Sequence, residues 1–316
     1  MSFKNFSDIR KHFNNELTCA LYLENQRWKG SPSCPHCGSE HHIRTKSRFK
    51  HPDLSTYKDF RCKACDKKYT VLTGTIYEGS KISLQIWFQA LYFLSAHKKG
   101  ISSLQLSRDL GVTQKTAWFM LHRLREMLKE NDTEQMGVNG EQVEADETIV
   151  GGKTQNKNKQ YRKSVRQGTI DPMNNKTIVM GIIQRNGKLS LRALSGRNQI
   201  ISSVVSTISP NAALITDSSG VYKSINKIYA KHQIIDHSTD EFVRGTVHTN
   251  SIEGAFSLFD RMVMGIYHYI SKKHMQRYCD EFTYRWNKRK LTDIEKFSEA
   301  MGKCDNTRLQ YKTLVS

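Results

Sequence analysis

Four cysteines in two matched pairs restrict this chain more than any other feature. Cys34-Pro-His-Cys37 and Cys62-Lys-Ala-Cys65 are C-x-x-C knuckles separated by 24 residues. Each knuckle offers two thiolates to one ion, and two knuckles together close a tetrahedral site with no open position. One such pair can serve redox chemistry, but two of them without a thioredoxin-like βαβ pattern point to structural Zn2+ at Cys34, Cys37, Cys62 and Cys65. The chain around them then forms a small ribbon, with Pro32, Pro35, Gly38 and Pro52 for its turns and β-type segments near 60–62 and 69–72. Cys19, Cys279 and Cys304 stand alone and are expected to fill cores.

Charge says what such a module meets. Lys and Arg total 49 against 30 Asp and Glu, a net of +19. The excess is spread along the chain, +9 over residues 1–135 and +10 over the rest. Both halves therefore suit a polyanion, since each basic side chain that meets a phosphate also releases a counterion. On charge alone a ribosomal protein, a membrane-surface protein or a basic enzyme stays open. No run of ~18 apolar residues predicts a membrane span, and Met1-Ser-Phe-Lys-Asn-Phe has no signal-peptide core. A cytosolic setting with reduced thiols is the expectation.

The 316 residues divide by pattern. Residues 1–80 read as one or two short helices (Phe3, Phe6, Ile9, Phe13, Leu17, Leu21 and Leu23 at helical spacing) followed by the ribbon. Residues 81–135 are helical, and polar residues 130–141 form the expected linker. Residues 136–316 switch to strands at 142–150, 177–184, 188–194, 212–216 and 232–236, with helices at 200–208, 220–229 and 251–290. That order gives a mixed α/β sheet with helices on its faces. Residues 153–169 hold Lys153, Lys157, Lys159, Arg162, Lys163 and Arg166 with no acid, which predicts a mobile basic loop, solvated or clamped on DNA.

Within the helical stretch, Leu104, Leu106 and Leu110 make one apolar face, Gly111 permits a sharp turn, and Thr113 caps a second helix. Ala117, Met120, Leu121 and Leu124 face inward; Gln114, Lys115, His122, Arg123 and Arg125 are expected outside, where a helix-turn-helix meets phosphates and base edges. The bland alternative is an αα-hairpin.

Three acidic places in the last part look chemical. Asp146 ends a strand in Val143-Glu-Ala-Asp-Glu-Thr, Asp217 ends another in Leu214-Ile-Thr-Asp, and Asn250-Ser-Ile-Glu253 opens a helix. Oxygen ligands so placed suit Mg2+ or Mn2+, and two such ions support in-line phosphodiester displacement. Each place also has a plain reading: a turn former for Asp217, a helix cap for Asn250 and Glu253, and solvent exposure for Glu144 and Glu147 beside Asp146.

Taken together these motifs resemble the bacterial insertion-sequence transposases of the DDE type, the ISXO-like group with a zinc ribbon in front. The likeness runs over nearly the whole chain. It rests on the two knuckles, on Val143 to Lys153, on Ile215-Thr-Asp217, on His248-Thr-Asn250-Ser-Ile-Glu253-Gly, and on Tyr267-His268, Lys273-His274, Arg277-Tyr278, Glu281-Phe282 and Arg285-Trp286-Asn287. It implies a ribonuclease-H-like core with Asp146, Asp217 and Glu253 as catalytic Mg2+ ligands, and Asn250 as a competing or additional third ligand. Glu253 ranks above Asn250 because only a carboxylate offsets the ions' charge. The family implies water attack at the element end, then attack of the freed 3′-hydroxyl on target DNA, with no covalent protein intermediate. Partners implied are double-stranded DNA, as terminal inverted repeats and target, and further copies of the chain on that DNA, with no membrane, in the bacterial cytoplasm at the nucleoid. Gln114, Lys115, Arg123, Arg125, Lys153 and Arg261 are the expected DNA contacts. One position departs from the family: Asp260 stands where a basic residue is usual seven positions after the third acid, with Arg261 next to it. A DNA-binding regulator built on an inactive transposase, and a structure-specific nuclease on the same fold, therefore stay open.

Overall fold

The structure is a computed structural model describing residues 3–46, 57–130, 134–152, 154–174, 176–239, 241 and 243–316. The chain divides into two compact units, one of Met1–Leu128 with Lys290–Ser316, the other of Lys129–Arg289. Where three parts were expected, with boundaries at 80 and 135, residues 1–128 lie in one unit, and residues 290–316 return to it.

In the first unit, α1 (Phe6–His12) and α2 (Glu16–Trp28) start at Asn5 and Asn15, whose side chains accept the amide N–H groups of Asp8 and Thr18. A three-strand sheet follows, β1 (His42–Lys46), β2 (Lys58–Cys62) and β3 (Lys68–Tyr69), antiparallel throughout. Then come α3 (Leu84–Ala96), α4 (Ser103–Leu110) and α5 (Gln114–Leu128). Gly111 ends α4 at φ 65°, a left-handed turn that costs glycine little. The unit's core is aromatic: Phe88 meets Phe13 edge-on at 4.9 Å and Phe297 at 6.2 Å. Phe297 belongs to α10 (Asp293–Met301), which opens on a Thr292–Glu295 capping box; α11 (Tyr311–Val315) ends the chain. The buried stripe Phe297, Ala300 and Met301 explains why this segment lies in the first unit, with Met301 Sδ accepting the Tyr77 hydroxyl at 3.4 Å.

The second unit is built on five strands: β4 (Gln142–Val150), β5 (Thr177–Gln184), β6 (Leu189–Leu194), β7 (Ala213–Asp217) and β8 (Gln233–Ile235), in the order β6-β5-β4-β7-β8. β5 is antiparallel to both of its neighbours, β4 and β6, while β7 and β8 run parallel to β4. The mixed α/β expectation holds, and all eight residues of β5 but its last are buried, as a central strand demands. On one face pack α8 (Asn250–Met262) and α9 (Met275–Asn287); on the other, α7 (Ile200–Thr207) and, within the helix expected over 220–229, a 3₁₀ segment at Gly220–Lys227. The expected basic loop instead folds in part as α6 (Lys159–Arg166), because Asn158 caps it through the Tyr161 amide at 2.8 Å; Lys159, Arg162, Lys163 and Arg166 are exposed along it.

The β6 edge is covered by side chains rather than by another strand. Asn287, Thr283 and Gln276 of α9 accept the outward N–H groups of Leu189, Leu191 and Ala193 at 2.8, 3.2 and 2.8 Å. Glu281 and Arg285 of the same helix form a buried ion pair, and Tyr267 donates to Glu281 at 2.6 Å. These residues of the closing motif therefore hold the fold.

Candidate active site

In the first unit the four knuckle cysteines meet. Their sulfurs all lie within 4.8 Å of one another, with Cys34–Cys65 at 3.7 Å and Cys37–Cys62 at 3.6 Å. A tetrahedron with Zn–S bonds of about 2.3 Å has edges of about 3.8 Å, so this donor set fits zinc without rearrangement. Knuckle turns hold it: the Gly38 amide donates to Cys34 O at 2.8 Å and the Cys62 amide to Lys67 O at 3.0 Å. Purified protein should carry about one zinc per chain, and Cys62→Ser should lose it and expose the ribbon to protease, because a structural site contributes folding energy directly. A zinc-free, protease-resistant native protein by metal analysis would count against this.

The helix pair departs from expectation on its outer face. Gln114 and Lys115 are exposed, with Lys115 Nζ 5.2 Å above the Tyr311 ring. His122, Arg123 and Arg125 are buried, at 0%, 4% and 1% exposure. Arg123 donates Nη2 to Glu78 O at 2.7 Å and lies over the Trp87 and Phe119 rings. Burial, joined by the nearby Arg308 charge, pushes its guanidinium pKa down to about 10 against the opposing pull of Glu78 and Tyr77. Arg123 and Arg125, expected on the outer face, are thus parts of the core of the first unit. Leu104, expected inside, is half exposed. Arg261 is exposed but turns back on its own helix, donating to Ser257 O and Oγ at 3.1 Å each. Lys153 lies outside the described residues.

In the second unit the expected carboxylates converge on one face of the sheet. Glu144 of β4 is paired in parallel with Ile215 of β7. Two residues further along each strand come Asp146 and Asp217, on the same face as Glu144 by the two-residue period. Helix α8 packs on that face and carries Glu253 on its first turn. A glycine permits the approach: Gly181, opposite Asp146 in the register, would place a Cβ 2.6 Å from Ile252 and from Phe256 of α8. Asn250 is the first residue of α8 and exposed, and the cap position belongs to Thr249, so the capping reading of Asn250 falls away.

The electrostatics follow from this crowding. Burial pushes the Asp146 carboxyl up to about 7, and the Asp217, Glu147 and Glu253 carboxylates push the same way, against the Glu147 amide at 2.8 Å. Asp217 accepts the Ser219 amide at 3.2 Å. Glu253, half exposed, accepts the Thr249 hydroxyl at 2.6 Å and faces His237 Nε2 at 3.5 Å. Among the described residues the cysteines are the group of three or more His, Cys, Asp or Glu whose donor atoms all lie within 4.8 Å, so the carboxylates stand wider apart. They are all-oxygen, negatively charged and half-buried, a set that a divalent cation fits and neutralises.

Both neighbours expected to face solvent do not. Glu144 is fully buried. Glu147, on the opposite face, takes the Tyr222 hydroxyl, and its carboxyl is raised chiefly by burial. The period-two count from Asp146 would have placed Glu144 inward, and a lone glycine within the apolar run 177–184 flags a close approach; Tyr222 and Arg185, a partner of Glu144, carry no sequence signal of their role.

Comparison with known proteins adds an independent line. The ISXO2-like transposase domain family matches residues 137–287, and the transposase zinc-ribbon domain family matches residues 14–68. A protein in the transposable element ISH50 of Halobacterium salinarum is 26% identical over 291 residues, covering 87% of this chain and 92% of that relative. No solved structure matches. Two domain matches in this order, with a relative described as part of a transposable element, make the chain similar to insertion-sequence transposases that carry a zinc ribbon ahead of an ISXO2-like transposase domain.

Proposed function

We propose that the chain binds the ends of an insertion sequence and catalyses metal-dependent DNA cleavage and strand transfer, with Asp146, Asp217 and Glu253 as the catalytic carboxylates. The observation that carries this reading is the placing of Asp146 and Asp217 two residues beyond a shared parallel register, under the helix that bears Glu253. The sheet order, with β4 central between an antiparallel and a parallel neighbour, supports a ribonuclease-H-like core. A divalent cation held by these carboxylates supplies Lewis-acid stabilisation of charge developing on the scissile phosphate. Asp146, on a buried strand, gives the set its fixed point; Glu253, half exposed, leaves one side open to DNA. Asn250, exposed one turn before, adds a neutral oxygen at most.

DNA contact falls to Gln114 and Lys115 at the start of α5, which support a helix-turn-helix, and to the exposed basic side chains of α6. Lys115→Ala should weaken binding to an end fragment and lower the salt slope by about one unit, whereas Arg123→Ala should lower stability first. Equal salt slopes for wild type and Lys115→Ala by anisotropy titration would return α4 and α5 to an αα-hairpin.

The deciding experiment is incubation of the full chain with element-end DNA, target plasmid and Mg2+. Joined products support the transposase reading, whereas cutting without joining supports the nuclease. A specific observation keeps the regulator reading in view. Asp260 and Glu253 line one open pocket on α8, while Arg261 donates back to Ser257 of its own helix. Wild type that binds ends but stays inert, with cutting restored by Asp260→Lys, selects the regulator.

A further inference from the structure

The first turn of α8 is not capped by its own residues. Thr249, at the cap position, makes no capping bond. The free amides of Ser251 and Ile252 donate instead to Glu144 Oε2 at 2.9 and 3.0 Å, and the Ser251 hydroxyl donates to Oε1 at 2.9 Å. A carboxylate more than 100 residues away in sequence therefore caps this helix, where its charge also meets the positive end of the helix dipole. Arg185, just past β5, donates Nε to the same Oε1 at 2.7 Å. Its other nitrogens bind Gln142 Oε1 on β4, Thr246 O at 2.5 Å and His248 O at 3.0 Å. Sheet, incoming loop and first turn are thus tied at one fully buried carboxylate.

We propose that Glu144 and Arg185 are positioning residues that fix the start of α8, and with it Glu253, against Asp146. The inference rests on the proposed function for what α8 is positioned to do. The geometric argument is short. Glu144 and Asp146 are two positions apart on one strand and one face, so their separation is set by β-strand geometry, about 7 Å between Cα atoms. Glu253 is one residue past the second amide that Glu144 holds. The carboxylates of the site therefore share a rigid reference point, as side chains that orient ligands commonly do. An ordinary cap from Thr249 would fix the helix to its own loop and leave its distance from β4 free.

The full chain would be made as Glu144→Gln, which keeps size and one acceptor oxygen, as Arg185→Gln, and as the pair. Mn2+ binding by paramagnetic resonance, amide exchange and end cleavage would be read together. Glu144→Gln should weaken Mn2+ binding and slow cleavage about 10–100-fold. It should speed exchange at Ser251 and Ile252 while leaving zinc content and DNA affinity unchanged. The pair should recover part of the loss, because neither variant partner is left as an uncompensated buried charge. Unchanged Mn2+ affinity with protection lost evenly across the second unit makes Glu144 a general stability element and overturns the proposal. Wild type that takes up no Mn2+ removes the metal reading of the site instead; exchange alone then decides the clamp, and undisturbed Ser251 and Ile252 amides in Glu144→Gln overturn it.

Discussion

Asp146→Asn should slow DNA cleavage on the order of 10³-fold and, without divalent cations, should make the protein harder to melt. The first effect follows from losing one anionic ligand in a site whose charge stabilisation is worth several kcal/mol, at 1.36 kcal/mol per tenfold in rate. The second follows from the raised carboxyl. Its folded value of about 7 lies above the ordinary 3.8, so the folded state binds the proton more tightly than the unfolded chain. For an acid shifted upward, the penalty is absent below about pH 4, grows as pH rises, and is complete above pH 7, where it is at most about 4 kcal/mol. Asparagine carries no such penalty. Thermal melts in chelator at pH 8 should therefore favour the variant, melts at pH 4 should show little difference, and Mg2+ at pH 8 should stabilise wild type alone. DNA affinity should be unchanged or higher, since less negative charge faces phosphate. A variant that melts below wild type at pH 8 in chelator would refute the account of crowded carboxylates.

Gly181→Val is expected to be the most damaging single change that touches no functional group. The added carbons would enter space where Ile252 and Phe256 already come within 2.6 Å of a built Cβ. Overpacking of this kind costs about 1–3 kcal/mol, which for a unit of this size lowers the melting temperature by roughly 2–4 °C per kcal/mol. The greater loss should be in rate. Relief of the clash moves α8 away from β4, and a displacement near 1 Å at a reacting centre can cost about 10²-fold. Gly181→Ala should show the same signs at smaller size, and zinc content should not change in either variant. Full cleavage by Gly181→Val would mean that α8 does not need its close seat on the sheet.

The sequence made some features legible because they are local. Period-two apolar runs located the strands of the second unit to within a residue or two, and paired cysteines located the metal cluster. Asp217 was legible as a strand-end acid, whereas Asp146, expected at a strand end, lies in the middle of β4. What escaped was fixed by distant partners. Arg123 looks like a surface residue from helical periodicity alone, yet its guanidinium turns inward to Glu78, 45 residues earlier. Glu144 reads as one more acid until Arg185 and Ser251 are seen around it. The return of α10 to the first unit depends on the fit of Phe297 between Phe13 and Phe88, which no window of sequence contains. Conversely, the helix α6 was readable from Asn158 as a cap, but its density of lysine and arginine masked that signal.

The side chains of α9 along β6 bear on how copies of this protein can meet. An open strand edge is the cheapest surface for joining like chains. Here three successive outward amides of that edge are already occupied by Asn287, Thr283 and Gln276. The opposite edge, β8, is three residues long. Assembly by extending the sheet from β6 is therefore closed, which also spares a basic chain from fibre-like association when it is made without DNA. A second copy that meets this unit would have to do so through surfaces other than the β6 edge.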